Sequence, residues 1–547
     1  MKKFNYLLAI FGVALSFLTF HNSFSQVNQE WVSRYNGTGD STDWGYSITC
    51  DDSGNVYITG HSIGIVTSYD YLTIKYNSSG VQQWASRYNR SGNSSEYANS
   101  IAIDGSGNVY VTGRSFLNPG TTSDYATVKY NSSGVQQWSA TYNGPGNSYD
   151  GASSLAIDRE GNVYVTGYSN AEYYSDYATI KYNSVGIQQW VARYNGPGND
   201  YDDANSIKVD TLGNVYVTGN SAGIGSLKDY ATIKYNSSGI QQWVARHNGT
   251  GYSSDYASSI AIDDSGNVYV TGYEDNGQYT GYATLKYNSA GAEKWVSRYD
   301  GPGNSYDYAN SIAVDGSGNV FVTGRSDGSG TEGDYATIKY NSSGAEQWVN
   351  RYNGTGSSAD NAVALVLDHS GNIYITGYST ETGTSVDYAT IKYNTDGTLQ
   401  WVTKYNGTGN SVDAAFSIAV DGLENVYVTG VSTGVETGAD FATIKYSQST
   451  GINQLSYVIP EKFSLSQNYP NPFNPVTNLE FGISDLGFVS LKVYDMLGKE
   501  LVTLVNEKLS PGKYKVEFDG SGLPSGVYFY RLTAGEFTET KRMMLVK

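Results

Sequence analysis

The sequence predicts an all-β protein in which an eight-bladed β-propeller with four-stranded blades is followed by a small immunoglobulin-like β-sandwich. Three observations carry this prediction. One unit of about 53 residues recurs eight times, and each unit holds four strand-like segments joined by glycine-containing turns. The composition agrees, because 51 Tyr and 64 Gly stand beside only 10 Pro, and these residues favour strands and tight turns.

Tryptophan marks the repeat. Eight of the nine Trp residues recur 52 to 54 residues apart, and Trp44 alone lies outside the series. The repeated residues are Trp31, Trp84, Trp138, Trp190, Trp243, Trp295, Trp348 and Trp401. Variants of Val-Tyr-Val-Thr-Gly and of Asp-Tyr-Ala-Thr-Ile-Lys-Tyr keep the same period. Four antiparallel strands at a period near 50 residues are typical of one propeller blade.

The second copy shows the elements of one unit. Its strand-like segments are Asn99–Asp104, Asn108–Thr112, Tyr125–Tyr130 and Gln136–Tyr142. Short turns at 104–108 and 131–134 connect the first pair and the last pair of segments. Such glycine-containing turns predict β-hairpins.

The phase of the repeat predicts how the propeller closes. The repeat region opens with the Trp segment Glu30–Tyr35 and ends with the segment Phe441–Tyr446. The last blade therefore lacks its fourth strand, and we expect the N-terminal strand to supply it, which also removes open sheet edges. The alternative is a solenoid, which would need distinct capping repeats at its ends.

The N-terminus predicts a signal peptide over residues 1–25. Lys2 and Lys3 precede an apolar run over 4–20, and small residues follow at Ser23 and Ser25, the pattern of a secretory signal cleaved after Ser25. A membrane anchor is the alternative, but the run is short for a span. The mature chain is predicted to have no transmembrane helix.

A second domain is predicted where the repeat ends. We expect the propeller to cover 29–447, a linker 448–464 and the C-terminal domain 465–547. Alternating segments separated by turn residues indicate a small sandwich. They are Val489–Tyr494, Glu500–Val505, Gly512–Phe518, Gly526–Thr533 and Lys541–Val546.

Both regions resemble known families. The Tyr-Val-Thr-Gly and Trp spacing over residues 30–447 resembles the bacterial β-propeller repeats named SBBP, whose propellers are usually described as seven-bladed, whereas eight copies occur here. The segments Tyr469–Pro475, Val493–Gly498 and Gly522–Tyr528, with the closing strand, resemble the type A C-terminal sorting domain of type IX secretion cargo. The residues that carry the second resemblance are Tyr469, Pro470, Asn471, Pro472, Phe473, Gly498, Gly526 and Tyr528.

The resemblance implies that the protein reaches the outer cell surface or the medium, with the type IX secretion machinery as a partner of the C-terminal domain. An ordinary immunoglobulin-like adhesion domain is the alternative.

Composition excludes several functions. The single Cys50 rules out a disulfide framework, and four His with one Cys rule out zinc clusters. A net charge of −18 repels phosphate backbones, so no nucleic-acid partner is predicted. Because residues 455–547 hold 10 acidic and 10 basic side chains, the negative charge lies in the repeats.

The loops at one end of the blades form the candidate binding surface. In a four-stranded meander the second-to-third loops and the blade-to-blade links emerge at the same end, and here both are rich in Asp and Tyr. Tyrosine offers contact area and a hydroxyl at low entropic cost, which suits an extracellular glycan or protein. The candidate residues are Tyr149, Asp150, Tyr173, Tyr174, Tyr201, Asp202, Asp255, Tyr256, Tyr306, Asp307 and Tyr308. The alternative is that each Asp caps its own turn and each Tyr supports its own loop.

No catalytic residues or metal ligands are predicted. The residues that depart from the repeat include Lys208, His61, His247 and His369, and they form no Ser-His-Asp or His-Glu-x-x-His pattern. The Asp-x-Ser-Gly-Asn turns resemble weak Ca²⁺ loops, but they lack the carboxylate density of such a site, so no cofactor is predicted. The sequence therefore favours a binding or scaffold protein. A polysaccharide hydrolase or lyase is the alternative, since paired carboxylates abound, and a structural spacer is a third hypothesis.

Overall fold

The structure is a computed structural model that describes residues 27–90, 94–118, 122–171, 173–249, 253–303, 305–356, 358–435, 437–448, 453–456, 458–520 and 523–547. The predicted signal peptide over 1–25 lies outside the described residues. All regular elements of the described residues are strands, and none is a helix long and apolar enough to cross a membrane. Val27–Ser449 forms one compact unit, and Thr450–Lys547 belongs to a second.

The described residues of the first unit form thirty-two strands. In chain order they are β1 Val27–Tyr35, β2 Asp43–Cys50, β3 Val56–Ile63, β4 Tyr69–Tyr76, β5 Gln82–Tyr88, β6 Glu96–Ile103, β7 Val109–Asn118, β8 Thr122–Tyr130, β9 Gln136–Tyr142, β10 Asp150–Ile157, β11 Val163–Asn170, β12 Ser175–Tyr182, β13 Gln188–Tyr194, β14 Asp203–Val209, β15 Val215–Ala222, β16 Lys228–Tyr235, β17 Gln241–His247, β18 Tyr256–Ile262, β19 Val268–Asp275, β20 Thr280–Tyr287, β21 Glu293–Tyr299, β22 Asp307–Val314, β23 Val320–Asp327, β24 Gly333–Tyr340, β25 Glu346–Tyr352, β26 Asn361–Leu367, β27 Ile373–Thr380, β28 Val386–Tyr393, β29 Leu399–Tyr405, β30 Asp413–Val420, β31 Val426–Thr433 and β32 Ala439–Gln448.

These strands form eight antiparallel four-stranded sheets. Sheets 1 to 7 are consecutive meanders, from β2–β5 to β26–β29, and sheet 8 has the order β1-β32-β31-β30. In sheet 8 the N-terminal β1 pairs with β32 from Val27↔Gln448 to Tyr35↔Phe441. The predicted supply of the missing strand by the N-terminal segment is therefore present as hydrogen-bonded pairing.

Each sheet has two different ends. The hairpin end carries the turns between its first and second and between its third and fourth strands. The loop end carries the second-to-third loop and the link to the next sheet, as follows from the strand order. The candidate binding residues belong to the loop end.

The sheets pack face to face through apolar and tyrosine side chains. The second and third strands are almost fully buried, as in the Val-Tyr-Val-Thr-Gly segments. Tyr110 and Tyr125 of sheet 2, for example, share one core with Leu155 and Val165 of sheet 3. Sheet 1 packs on sheet 8 in the same manner.

Buried tyrosine hydroxyls connect neighbouring sheets. A tyrosine on the third strand of one sheet donates to an alanine carbonyl on the third strand of the next, at 3.1 to 3.4 Å. The donors are Tyr71, Tyr125, Tyr177, Tyr230, Tyr282, Tyr335 and Tyr388. At the junction of sheets 8 and 1, Phe441 and Leu72 belong to one apolar core instead.

The predicted hairpin turns are present. In sheet 2 the amide of Gly107 donates to the carbonyl of Asp104 at 2.9 Å, while the Asp104 carboxylate accepts the amides of Ser106 and Asn108. Gly107 adopts a φ of 75°, which favours glycine. The Asp104 carboxylate is thus an acceptor that organises this hairpin turn.

The repeated lysines on the third strands contact aromatic rings. Each ammonium group lies over the ring of the aromatic residue opposite it on the second strand. Lys129 Nζ, for example, lies 5.0 Å from the Tyr110 ring centroid. Equivalent contacts occur in each of the other seven sheets. Lysine and ring are directly opposed on adjacent strands, which allows a cation–π contact.

The second unit contains two antiparallel four-stranded sheets, β33-β38-β35-β34 and β37-β36-β39-β40. Its strands are β33 Asn453–Ser456, β34 Ser464–Leu465, β35 Val476–Ile483, β36 Gly487–Tyr494, β37 Glu500–Leu509, β38 Gly512–Asp519, β39 Gly526–Ala534 and β40 Phe537–Leu545. All five predicted segments are strands. The two sheets share one core. The strand β35, which contributes to this core, was not among the predicted segments.

Candidate functional site

The four candidate aspartates occupy equivalent places at the loop ends of sheets 3 to 6. Asp150, Asp202, Asp255 and Asp307 are at most 1% exposed. Each carboxylate accepts a hydrogen bond from the backbone amide of the glycine six residues earlier, at 2.6 to 2.8 Å. Asp202, for example, accepts the amide of Gly196 through Oδ2 and that of Ala222 through Oδ1. These aspartates therefore hold the link to the second strand of their own sheet.

Burial raises the pKa of these carboxyl groups. Desolvation raises the pKa of Asp150 and Asp202, and it raises those of Asp255 and Asp307 to about 6, although the hydrogen bonds from backbone amides oppose it. Removal from water disfavours the charged form. A ligand would have to displace the link to reach these groups.

A second aspartate series is paired with the repeated arginines. Arg193 donates to Asp176 at 2.9 Å, and Arg246 to Asp229 at 2.7 Å. The same pairing occurs in sheets 1, 6 and 8, so these arginines act as structural partners of the aspartates. The negative charge at the loop ends is thus partly neutralised from within.

The candidate tyrosines are more accessible than the aspartates. Tyr173 is 80% exposed, whereas Tyr149, Tyr174, Tyr201 and Tyr306 are between 41% and 49% exposed. Tyr256 and Tyr308 are half-buried. The candidate contact surface therefore consists of tyrosine rings above buried aspartates.

Several of these rings contact one another between sheets. The rings of Tyr174 and Tyr201 meet edge to face at 5.0 Å. Tyr273 joins two more candidates, because its ring stacks on Tyr256 at 5.0 Å and meets Tyr308 edge to face at 4.8 Å. Lys228 lies near the rings of both Tyr201 and Tyr256, so contacts run from sheet 3 to sheet 6.

Tyr273 and Lys228 are not among the candidate residues predicted from the sequence. Both occupy positions that vary from one repeat to the next, so comparison of the repeats at those positions is the signal that identifies them.

A groove lies beside Tyr173 and Tyr174. It has a volume of about 430 Å³. Its lining comprises Pro145, Ala171, Tyr173, Tyr174, Asp176, Asn195, Asn199 and Asp200. Exposed amides at Asn195 and Asn199 and the exposed carboxylate of Asp200 face it alongside the two rings. Ring faces with amide and carboxylate groups can stack on a sugar and hydrogen-bond its hydroxyls.

The residues that depart from the repeat lie apart. Lys208 is on the first strand of sheet 4, where its side chain is accessible but desolvation lowers the pKa of its ammonium group. His369 is exposed in a hairpin turn, and His61 is 5% exposed on β3. His247, at the end of β17, lies 2.7 Å from Glu274 and 3.3 Å from Glu293. Among the described residues, no group of three His, Cys, Asp or Glu side chains is arranged to hold a metal ion.

The sorting-motif residues divide into exposed and anchored ones. Tyr469, Pro470, Asn471 and Pro472 are exposed, whereas Phe473 is 2% exposed in the core of the second unit. Backbone bonds of Phe473 to Met544 and Val546 fix the segment on β40.

The remaining motif residues shape the second unit. Gly498 occupies a turn with a φ of 79°, Gly526 begins β39, and the Tyr528 hydroxyl donates to the carbonyl of Pro524 at 2.7 Å.

Two family models match this chain. The β-propeller repeat SBBP matches seven segments, which are residues 30–65, 83–115, 137–174, 189–225, 242–273, 294–330 and 400–435. The secretion system C-terminal sorting domain matches residues 467–547. The repeat that begins at Trp348 is not among the matched segments, although β26–β29 form sheet 7 there.

Individual relatives are distant. The chain is 22% identical over 475 residues to an uncharacterized WD repeat-containing protein of Acanthamoeba polyphaga mimivirus, and the match spans 73% of this chain but 30% of that protein. Among solved structures, a protein of unknown function from Dyadobacter fermentans matches 77% of this chain and 99% of its own, with 9% identity and a TM-score of 0.39. The polysaccharide lyase Uly1 matches 66% of this chain and 92% of its own, with 11% identity and a TM-score of 0.40.

The two family matches agree with the two units of the fold, since the repeats lie in the eight sheets and the sorting domain in the last two. A type IX sorting domain supports export to the cell surface or the extracellular space and interaction with the type IX machinery. The chain therefore carries SBBP β-propeller repeats followed by a secretion system C-terminal sorting domain.

Proposed function

We propose that this protein is an extracellular binding or scaffold propeller without catalytic activity, and that it binds glycan through the loop ends of sheets 3 and 4. The observation that carries the proposal is the groove beside Tyr173 and Tyr174, where exposed rings, amides and a carboxylate converge. The buried Asp150 and Asp202 hold the links that border it. The aspartates thus act as supports, and the tyrosines as contact residues.

The test is binding of the full-length protein to a glycan array, followed by titration of the best ligand. Changing Tyr173, Tyr174 and Tyr201 to Ala together should weaken that affinity by roughly 10-fold or more, because aromatic side chains that a ligand covers dominate the binding energy of such interfaces. The matched control changes Val185, Ile187 and Ile240 to Ala. These three are 61% to 63% exposed at the hairpin end, so their loss should leave binding unchanged. Equal effects of the two triple variants would disprove the proposed surface.

We further propose that the eight sheets close into one eight-bladed ring over residues 29–447, with an immunoglobulin-like sorting domain over 465–547. The pairing of β1 with β32 and the shared core of sheets 8 and 1 support closure. End-on views by electron microscopy would count the blades directly. Seven blades, or an open array, would contradict this proposal.

The alternative of a polysaccharide hydrolase or lyase has one observation in its favour, because His247 lies between two carboxylates. However, His247 is on the outermost strand of sheet 4, and its partner Glu274 also accepts two bonds from Arg298. An ion pair on both sides of Glu274 suits a structural contact better than proton transfer. Loss of glycan cleavage in a His247→Gln variant would support the enzyme instead.

A further inference from the structure

A second group of aromatic side chains lies at the loop ends of sheets 8, 1 and 2, apart from the groove. We name it the Trp44 cluster. Its members are Trp44, Tyr46, His61, Tyr69, Tyr97, Arg114, Phe116 and Phe416.

The rings of the Trp44 cluster are closely stacked. The Trp44 indole lies 5.8 Å from Phe416 and 6.2 Å from His61, with interplanar angles of 18° and 16°. His61 also meets Tyr69 and Tyr97 edge to face, at 4.7 and 4.9 Å. Apart from the buried His61, the aromatic residues are half-buried, so part of the surface of each is accessible.

The fold does not require these rings. At the position of Trp44 other repeats hold Gly151, Asn361 or Ala414, and at the position of Tyr46 and Phe416 they hold residues such as Asn99 and Ser153. Those sheets form with the same register. Residues that break the symmetry of a repeat without serving its packing are candidates for ligand contact.

Arg114 supplies a positive charge that has no carboxylate partner within the described ranges. Its guanidinium lies 4.8 Å from the Tyr97 ring and 5.7 Å from the Phe116 ring. No ion pair of Arg114 occurs among the described residues, and Glu96, the acid next to Tyr97 in the chain, accepts bonds from Ser94 and Ser115.

Sheet 6 provides the comparison for Arg114. There Arg325 occupies the equivalent position, and it pairs with Asp327 at 3.1 Å. Phe116 stands where that aspartate would be. Sheet 2 thus has the arginine of sheet 6 but an aromatic ring instead of its counter-charge.

Two further polar atoms of the cluster lack partners. Nε1 of Trp44 and Nδ1 of His61 are buried and have no hydrogen-bond partner among the described residues. Burial and the nearby Arg114 lower the pKa of His61 to about 4, so its ring is neutral near pH 7. Unpartnered buried polar atoms are costly, and the indole needs an acceptor.

We propose that the Trp44 cluster binds an acidic sugar residue, with the sugar carboxylate on Arg114 and the sugar ring against the aromatic faces. Guanidinium and carboxylate match geometrically in a bidentate pair. Sugar hydroxyls would supply the acceptor that Trp44 lacks once its side chain adjusts. An acidic peptide offers the carboxylate but no rigid ring, so the sugar is favoured. The inference extends the proposed glycan binding to a second site with separate residues.

The experiment titrates the full-length protein with a trimer of glucuronic acid and with the corresponding glucose trimer. Calorimetry gives affinity, and indole fluorescence gives a second readout. The acidic trimer should bind at least about 10-fold more tightly, since hydrogen bonds to charged groups are the stronger ones. The Arg114→Gln variant should lose that preference, and the matched Arg325→Gln variant should keep it.

Several results would overturn the inference. These are equal affinity for the two trimers, a preference that survives in Arg114→Gln, and equal losses in the two arginine variants. Tighter binding of an acidic peptide of equal charge would assign the site to another ligand class. The comparison of the two trimers with the wild-type protein requires no variant, so equal affinity overturns the inference even if Arg114→Gln does not fold. The triple tyrosine variant at the groove should still bind the acidic trimer, which separates this inference from the proposed function.

Discussion

Nε2 of His247 lies 2.7 Å from Oε1 of Glu274, which connects the outermost strand of sheet 4 to the second strand of sheet 5. Elsewhere a tyrosine at the position of His247 accepts a bond from the arginine of the next sheet, as Tyr194 does from Arg246 at 3.0 Å. In sheet 5 the arginine instead pairs with Glu274, because Gly281 replaces its usual aspartate. The departures from the repeat at His247, Glu274 and Gly281 thus keep a polar contact between sheets 4 and 5.

The pH dependence of stability should report on this contact. Although burial opposes it, the contacts with Glu274 and Glu293 raise the pKa of His247 above 6.5. Its stabilising contribution is therefore present below about pH 6.5 and lost as pH rises through the folded-state pKa. We expect His247→Tyr, which restores the repeat residue, to lower Tm more at pH 6 than at pH 9. His369→Gln, at an exposed turn, serves as the control, and a pH-independent difference for His247→Tyr would refute the assignment.

The tyrosine bonds between sheets should each contribute measurable stability. Tyr177→Phe removes the hydroxyl that donates a 3.1 Å hydrogen bond to the carbonyl of Ala231. The buried carbonyl then has one donor fewer. We expect a loss of about 1 kcal/mol in the free energy of unfolding, measured by urea denaturation. Tyr173→Phe removes an exposed hydroxyl and should leave the free energy of unfolding unchanged. An unchanged free energy of unfolding in Tyr177→Phe would show that ring packing, without this hydrogen bond, stabilises the contact between the sheets.

The turn glycines next to tryptophan should tolerate substitution poorly. An added Cβ on Gly134 would lie 2.5 Å from Cδ2 of Trp84, and its φ is 80°. Gly225 has a φ of 75° but open space around it. Gly225→Ala should therefore cost about 1 kcal/mol from backbone strain, and Gly134→Ala at least about 2 kcal/mol because the indole must move. Equal losses of stability in the two variants, measured by thermal denaturation, would mean that the Trp84 indole moves aside without an energetic cost.

The sorting domain should distinguish anchored from exposed motif residues. Phe473 packs in the core, with its ring 5.9 Å from that of Phe518. Phe473→Ala should lower the stability of this unit by about 3 kcal/mol or more, whereas Tyr469→Ala, at an 80% exposed side chain, should cost less than about 0.5 kcal/mol. Calorimetry of the full-length protein measures both. Reduced secretion of a stable Tyr469→Ala variant would identify the exposed segment as the contact with the export machinery.

Most of the architecture followed from local signals in the sequence. The tryptophan period, the glycine turns and the alternating segments identified the four strands of every unit, because hairpins form between neighbours in the chain. The phase of the repeat also indicated that Glu30–Tyr35 pairs with Phe441–Tyr446. The glycine-containing hairpin turn predicted at 104–108 is also present, with Gly107 at a φ of 75°.

The chemistry of the loop ends was decided by the tertiary structure. Sequence alone could not separate a surface carboxylate from one buried on a backbone amide, as in Asp202 and Gly196, because aspartate suits both. The Trp44 cluster joins Phe416, Trp44 and Tyr97, which come from the eighth, first and second sheets. Sequence by itself thus determined the repeated unit, whose contacts are local. The side chains that meet at its ends depend on how distant units pack, since those contacts join residues as far apart as 44 and 416.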